Sequence, residues 1–264
     1  MSRFNGAEFL YNNQSSLLYD LRIGEFESTG KQEYESGIES EISSDIIYRR
    51  SKVNYYGRSV NKPLEIDFTA ISFDALSVED QSLAKAWLLG ASKYVPLRII
   101  QDDMSQIYYN CLITKANDIK VGNLGYGFSL HAVCDAPWAW EEQKILNKNY
   151  TSGGVETDSF SFFNSSVSQD YLYPTVIFTL NGIGTEISIY NVSDSNRLFH
   201  FSGLLAGETI TANCYDKILT SSTGLYRLSL FNKNWFRILP GSNTISLVGA
   251  ISNLQIIYQF AKGG

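Results

Sequence analysis

The sequence predicts a mainly β protein of two domains: a β-rich N-terminal half organised around one helix, and a C-terminal antiparallel β-sandwich. Three observations carry this. Aromatic residues are 14% of the chain, with 17 Tyr and 15 Phe against 5 Pro and 2 Met, and an aromatic-rich, Gly-rich chain short of helix formers favours strands. Only one stretch, Ser77 to Ser92, reads as a long helix. From Leu172 onward, short apolar segments alternate with turn signals: about eight strands in about ninety residues, with no helix among them. A chain of 264 residues suits one large or two ordinary domains.

In chain order, EFLYNNQSSLLYDLRIGEF (8–26) reads as two short strands about an Asn12-Asn13 turn. An arm at about 26–62 follows. It begins acidic, with Glu25, Glu27, Glu33, Glu35, Glu39, Glu41 and Asp45 against the lone base Lys31. It then reverses sign through Arg49, Arg50, Lys52, Arg58 and Lys62. Few apolar residues lie between Phe26 and Ile46, so the arm has little to bury against its own domain, and Tyr48, Tyr55 and Tyr56 are candidate anchors elsewhere. The plain alternative is a solvated hairpin with unrelated charges.

LEIDFTAISF and VPLRIIQ, both alternating and β-branched, flank the helix. Ser77 with Asp80 three residues on resembles a capping box, and Glu79 and Asp80 place negative charge at the positive end of the dipole. Ala84, Trp87, Leu88 and Ala91 form one apolar stripe, which Leu83 and Leu89 widen; Gly90 weakens the last turn and Pro96 forbids continuation. IYYNCLITKA and GYGFSLHAVC then read as strands separated by a polar turn around Asn117-Asp118 and Gly122-Asn123.

The segment CDAPWAWEEQ closes the first domain, residues 1–143. The second, 144–264, opens on a polar, Gly/Ser-rich stretch (145–170) with poor periodicity. Its strands are expected in LYPTVIFTL, EISIYNV, RLFHFSGL, ETITANCY, GLYRLSLF, WFRIL, NTISLVG and LQIIYQF.

A net charge of −6 and a pI near 5.0 argue against a protein that grips nucleic acid through its phosphates. No apolar run has the length of a membrane span, MSRFNGAEFL lacks an apolar signal core, and Cys111, Cys134 and Cys214 are odd in number and widely spaced. We therefore expect free thiols, folding in a reducing cytoplasm, and no membrane association.

Catalytic chemistry finds little support. His131 and His200 sit in strand patterns away from any nucleophile elbow. Asp102-Asp103 and Glu141-Glu142 are sequence neighbours, which on a strand face opposite ways and make no acid/base couple. GNLGYG (122–127) lacks the helix and Lys of a phosphate loop. No metal or cofactor is expected, and the protein reads as a non-enzyme.

Three stretches together resemble the siphophage distal tail protein family. GLYRLSLFNKNWFRILPGSNTISLVG resembles the family's closing signature, W-x-x-L-x-P-G-x-N-x-I, with Trp235, Leu239, Pro240, Gly241, Asn243 and Ile245 in place. FLYNNQSSLLYDLRI is similar to its opening strand, turn and strand, and CDAPWAWEEQ to its interdomain junction, with Pro137, Trp138 and Trp140. The resemblance implies an N-terminal ring-forming hub domain with a protruding arm that embraces the next subunit, and a C-terminal galectin-like β-sandwich. It implies a hexameric ring linking the tail tube protein to the tail-tip hub protein, with receptor-binding or baseplate components attached. DNA would pass through the channel without specific binding, in a virion part assembled in the host cytoplasm.

On that reading, the acidic limb (Glu33, Glu35, Glu39, Glu41) of one subunit lies against the basic limb (Arg49, Arg50, Lys52, Arg58) of the next. Exposed pairs contribute about 0–1 kcal/mol each, so they set register more than strength. The alternative function is a lectin-like protein used in host-surface adhesion, with the Trp138/Trp140 pair or the sandwich as its sugar site.

Overall fold

A computed structural model describes residues 8–24, 41–48, 51–59, 62–104 and 106–263. It is mainly β, and the chain divides into two compact units, 1–141 with 262–264, and 142–261.

In the first unit, β1 (Glu8–Tyr11) turns through Asn12 and Asn13, both at positive φ (52° and 62°), into a two-residue β2 (Gln14–Ser15). The expected second strand stops there. Ser16–Tyr19 winds into a 3-10 turn because the Ser15 hydroxyl caps the Leu17 N–H and the buried Ser16 hydroxyl accepts from Phe9 N–H; β3 (Arg22–Ile23) follows. Strands β4 (Glu41–Asp45) and β5 (Asn54–Ser59) pair with each other as a separate two-stranded sheet.

Strand β6 (Glu65–Leu76) leads into α1 (Val78–Leu89), and β7 (Val95–Ile100), β8 (Ile107–Val121), β9 (Leu124–Cys134) and β10 (Ala139–Glu141) complete the unit. The sheet order is β2-β1-β7-β8-β9-β6-β3, with β10 added against β8. β8 runs through Asn117 and Asp118, so the turn is Gly122-Asn123 alone; cross-strand pairing with β9 outweighs the local turn preference of Asn-Asp. At Gly127 a Cβ would lie 2.0 Å from the Ala70 carbonyl oxygen, so only glycine lets β9 approach β6 this closely.

Helix α1 forms as its signals require: Ser77 Oγ accepts from Asp80 N–H at 3.0 Å and donates to the Asp80 carboxylate at 2.6 Å. Ala84 and Leu88 are fully buried, and the Trp87 ring stacks on Phe9 (5.9 Å) and Tyr19 (5.3 Å) while its Nε1 donates to the Tyr11 carbonyl. Leu83 and Leu89 remain 51% and 44% exposed, so the buried stripe is narrower than expected. Each lies one position along the chain from a buried or half-buried stripe residue, rotated about 100° towards solvent.

The second unit is a two-sheet sandwich. Strands β11 (Lys144–Asn149), β12 (Glu156–Asn164), β13 (Thr175–Leu180), β14 (Glu186–Asn191), β15 (Arg197–Ser202), β16 (Thr209–Asn213), β17 (Ile218–Ser221), β18 (Gly241–Gly249) and β19 (Ile251–Tyr258) build it. One sheet runs β11-β19-β13-β16-β17 and the other β12-β18-β14-β15. Phe178, Phe199, Phe201 and Phe236 are buried between them, and the Phe201 and Phe231 rings stack 4.6 Å apart. Glu208 is buried here with Arg227, whose Nε donates to its carboxylate at 2.7 Å and Nη2 at 2.9 Å; Ser221 Oγ and Leu205 N–H also donate to it.

Three expectations need correction. Residues 145–170, polar and poorly periodic in sequence, hold most of β11 and all of β12. In ETDSFSFFN the Ser and Thr residues take the solvent face while Phe162 and Asn164 turn inward, so a polar-looking run is half of a sheet. GLYRLSLF contains a 3-10 turn (Leu228–Leu230), and WFRIL makes only a single bridge, Leu172 to Ile238. Phe231, Phe236 and Ile238 fill the sandwich, but Asn232 already occupies the β15 edge: its backbone and side-chain N–H groups donate to the His200 and Leu198 carbonyls.

Candidate assembly surfaces and the signature loop

The hairpin β4–β5 carries a run of large apolar side chains with no core of its own. Ile42 is 67% exposed, Ile46 84%, Tyr48 85%, Tyr55 64% and Tyr56 63%, and Lys52 is also exposed. Glu33, Glu35, Glu39, Arg49 and Arg50 lie outside the described residues. Glu41 and Arg58 sit on the hairpin, paired with Ser59 and Ile42 respectively.

The closing signature is a loop locked by one buried amide. Asn243 is fully buried; its Oδ1 accepts from Leu239 N–H (2.9 Å), and its Nδ2 donates to the Leu239 (2.8 Å) and Gly241 (3.1 Å) carbonyls. Its Oδ1 also accepts from Asn191 Nδ2 at 3.0 Å. Pro240 and Gly241 make the reversal, with Gly241 at φ +80°, and Ile245 and Phe236 fill the core. Trp235 packs edge-on against Phe231 at 5.0 Å.

Arg237, between signature positions, makes a bidentate pair with Asp194 (2.7 and 3.0 Å) and lies 3.9 Å over the Tyr171 ring. The Asp194 carboxylate, bonded to the guanidinium, raises the Arg237 pKa. Sequence reading passed over Asn191, Asp194, Glu208 and Arg227. None has a local signal, because each partner lies on a distant segment.

Trp138 and Trp140 both belong to the first unit, the second of them in β10, with Pro137 preceding. Their rings meet edge-to-face (6.0 Å, 87°), so they present no coplanar platform for a sugar. Trp140 Nε1 donates to Asp135 at 3.2 Å, while Trp138 Nε1 is buried without a partner among the described residues. His131 pairs through Nδ1 with Asp67 (2.8 Å) and His200 through Nδ1 with the Ser188 hydroxyl (3.0 Å). Among the described residues no His/Cys/Asp/Glu group is placed to hold a metal, and no helix is long and apolar enough to cross a membrane.

Among the described residues, a β-rich domain with one helix and an exposed apolar hairpin is followed in the chain by a β-sandwich. Two family models match: residues 4–136 match a phage tail protein N-terminal domain, and 138–258 a phage tail C-terminal domain. The chain belongs to this family of phage tail proteins.

Among solved structures it is similar to the Dit protein of phage SPP1, described as a paradigm of the hub adsorption apparatus in phages infecting Gram-positive hosts. That match has TM-score 0.70 and 14% identity, covering 96% of this chain and 98% of that one. It is also similar to a chain of the phage p2 baseplate in its activated conformation, with TM-score 0.53 and 13% identity, covering 97% and 98%. No curated protein matches. The chain therefore has the distal tail protein fold and is a structural component of the virion tail.

Proposed function

We propose that this protein is the distal tail hub, closing as six copies into a ring that joins the tail tube to the tail-tip proteins and leaves a channel for DNA. It acts without catalysis and is assembled in the host cytoplasm. The single observation that carries the reading is the β4–β5 hairpin. A lone two-stranded hairpin is marginal in water, and this one exposes Ile42, Ile46, Tyr48, Tyr55 and Tyr56 rather than burying them. Such a surface is stabilised by a neighbouring copy, which makes the arm an intersubunit clasp. The acidic limb at Glu33, Glu35, Glu39 and Glu41 and the basic limb at Arg49, Arg50, Lys52 and Arg58 set the register between copies. Pro137, Trp138 and Trp140 pack the end of the hub domain.

Native mass spectrometry tests this. The full chain is expected to give a species of about six copies, and deletion of residues 26–62 to give monomers whose two domains still melt cooperatively. Rings formed without the arm would overturn the reading. Arg49→Glu/Arg50→Glu is expected to weaken the ring and steepen its loss with salt.

A further inference from the structure

Cys111 and Cys134 stand directly opposite each other in the β8–β9 pairing, and both side chains are fully buried in the core of the first unit. The backbone hydrogen bonds around them fix which kind of cross-strand pair this is. Cys134 N–H donates away from β8, to the Leu64 carbonyl just before β6 (2.8 Å), and Asp135 N–H donates across to the Asn110 carbonyl (2.9 Å). Bonded and non-bonded positions alternate along an antiparallel pair, so the bond between Asp135 and Asn110 leaves Cys134 and Cys111 a non-hydrogen-bonded pair. Such a pair holds its Cα atoms about 4.5 Å apart, with side chains closer than at the bonded positions. A disulfide spans Cα separations of about 4.4–6.8 Å, so these two sulfurs can be joined without displacing either strand.

We propose that Cys111 and Cys134 form an oxidation site, a buried dithiol that a small neutral peroxide converts into a cross-strand disulfide. One sulfur, as thiolate, attacks a peroxide oxygen; the O–O bond breaks, leaving a sulfenic acid and a hydroxide that takes up the thiol proton as water. The second sulfur then attacks the first. The S–S bond forms, the S–O bond breaks, and the second thiol proton leaves with that oxygen as another water. The two sulfurs lose two electrons and the peroxide gains them.

The place of the pair gives the bond a consequence. It would close the open end of the β8–β9 hairpin, where the chain leaves β9 for Asp135 and then returns as β10 to pair with β8 at Trp140 and Tyr108. Disulfides are rare in the cytosol and persist in oxidising surroundings, so a component of the virion tail meets the oxidant after release. The neighbouring Cys134 thiol, and then burial, raise the Cys111 pKa. Few thiolates are present at neutral pH as a result, and bulky reagents are excluded until the end of β9 opens locally.

Cys214 is the internal comparison. It lies in the second unit, fully buried, with its thiol donating to the Ala212 carbonyl at 3.6 Å, and burial pushes its pKa up to about 12. It has no sulfur opposite it, since Asn213 and Ala212 pair with Ile218 and Leu219. The dithiol site needs one chain only and is independent of ring formation.

The test starts from the full chain purified under reductant, then freed of it and incubated with a few equivalents of hydrogen peroxide. The chain is next unfolded, alkylated and weighed intact. The expected product is lighter by about 2 Da before alkylation, keeps one alkylatable thiol of the three, and yields a Cys111–Cys134 linked peptide on digestion. Its melting temperature is expected to rise by about 5 °C or more, and dithiothreitol should reverse the rise. Cys111→Ala and Cys134→Ala should each abolish both signals, and Cys214→Ala should keep both. Retention of all three thiols, sulfinic or sulfonic products in place of the linked peptide, or disulfide-linked dimers would each overturn the proposal. So would a melting shift that survives in Cys134→Ala.

Discussion

Glutamine at position 208 would be a severe change in the sandwich, although it alters one atom type and no volume. The Glu208 side chain is fully buried and that of Arg227 is 12% exposed, so their bidentate bond lies in a low-dielectric setting. Burial alone would raise the Glu208 pKa. The hydrogen bonds from Arg227, Ser221 and Leu205 N–H outweigh it and hold the group below its ordinary value. Glu208→Gln leaves the guanidinium buried and uncompensated, at a cost of about 3–5 kcal/mol. For a domain of this size that is roughly 10–20 °C of melting temperature.

Scanning calorimetry at pH 7 is the assay, with Glu208→Gln/Arg227→Met as the second arm. The double variant should recover part of the loss, because no orphan charge remains. The pH dependence has a definite sign. A carboxyl whose folded pKa is depressed contributes fully above its unfolded value of about 4.3, and that contribution is lost as pH falls through the folded value. The gap between native protein and Glu208→Gln should therefore shrink below about pH 4. A single variant within about 1 kcal/mol of native, or a gap that widens on acidification, would refute the reasoning.

Two further changes probe the packing on which each unit rests. Leu88→Ala, at a fully buried position of α1, should cost about 2–5 kcal/mol, while Leu83→Ala on the exposed side of the same helix should stay within about 0.5 kcal/mol; urea midpoints measure both. Asn243→Ala removes the bonds to Leu239 N–H and both carbonyls of the signature loop, at roughly 2–4 kcal/mol, with faster amide exchange around Leu239 and Gly241 as the local readout.

Helix α1 was legible because its signals are local: a cap at Ser77, acids in the first turn, and the Ala84, Trp87, Leu88 spacing. Strands with one apolar face, such as β13 and β14, were legible for the same reason. β12 was not, since Ser and Thr on its outer face mask the inward Phe162. The segment at 226–239 misled in the other direction: apolar enough for two strands, it spends Phe231, Phe236 and Ile238 filling the sandwich beside an edge that Asn232 occupies.

By itself, then, the sequence determined the mainly β character and the one long helix, both of which depend on neighbours a few residues apart. Only the tertiary structure decided that Glu208 meets Arg227 and that Asp194 meets Arg237. Those facts depend on which strands lie side by side. Register is set by the packing of the whole sandwich, and no stretch of chain encodes it alone.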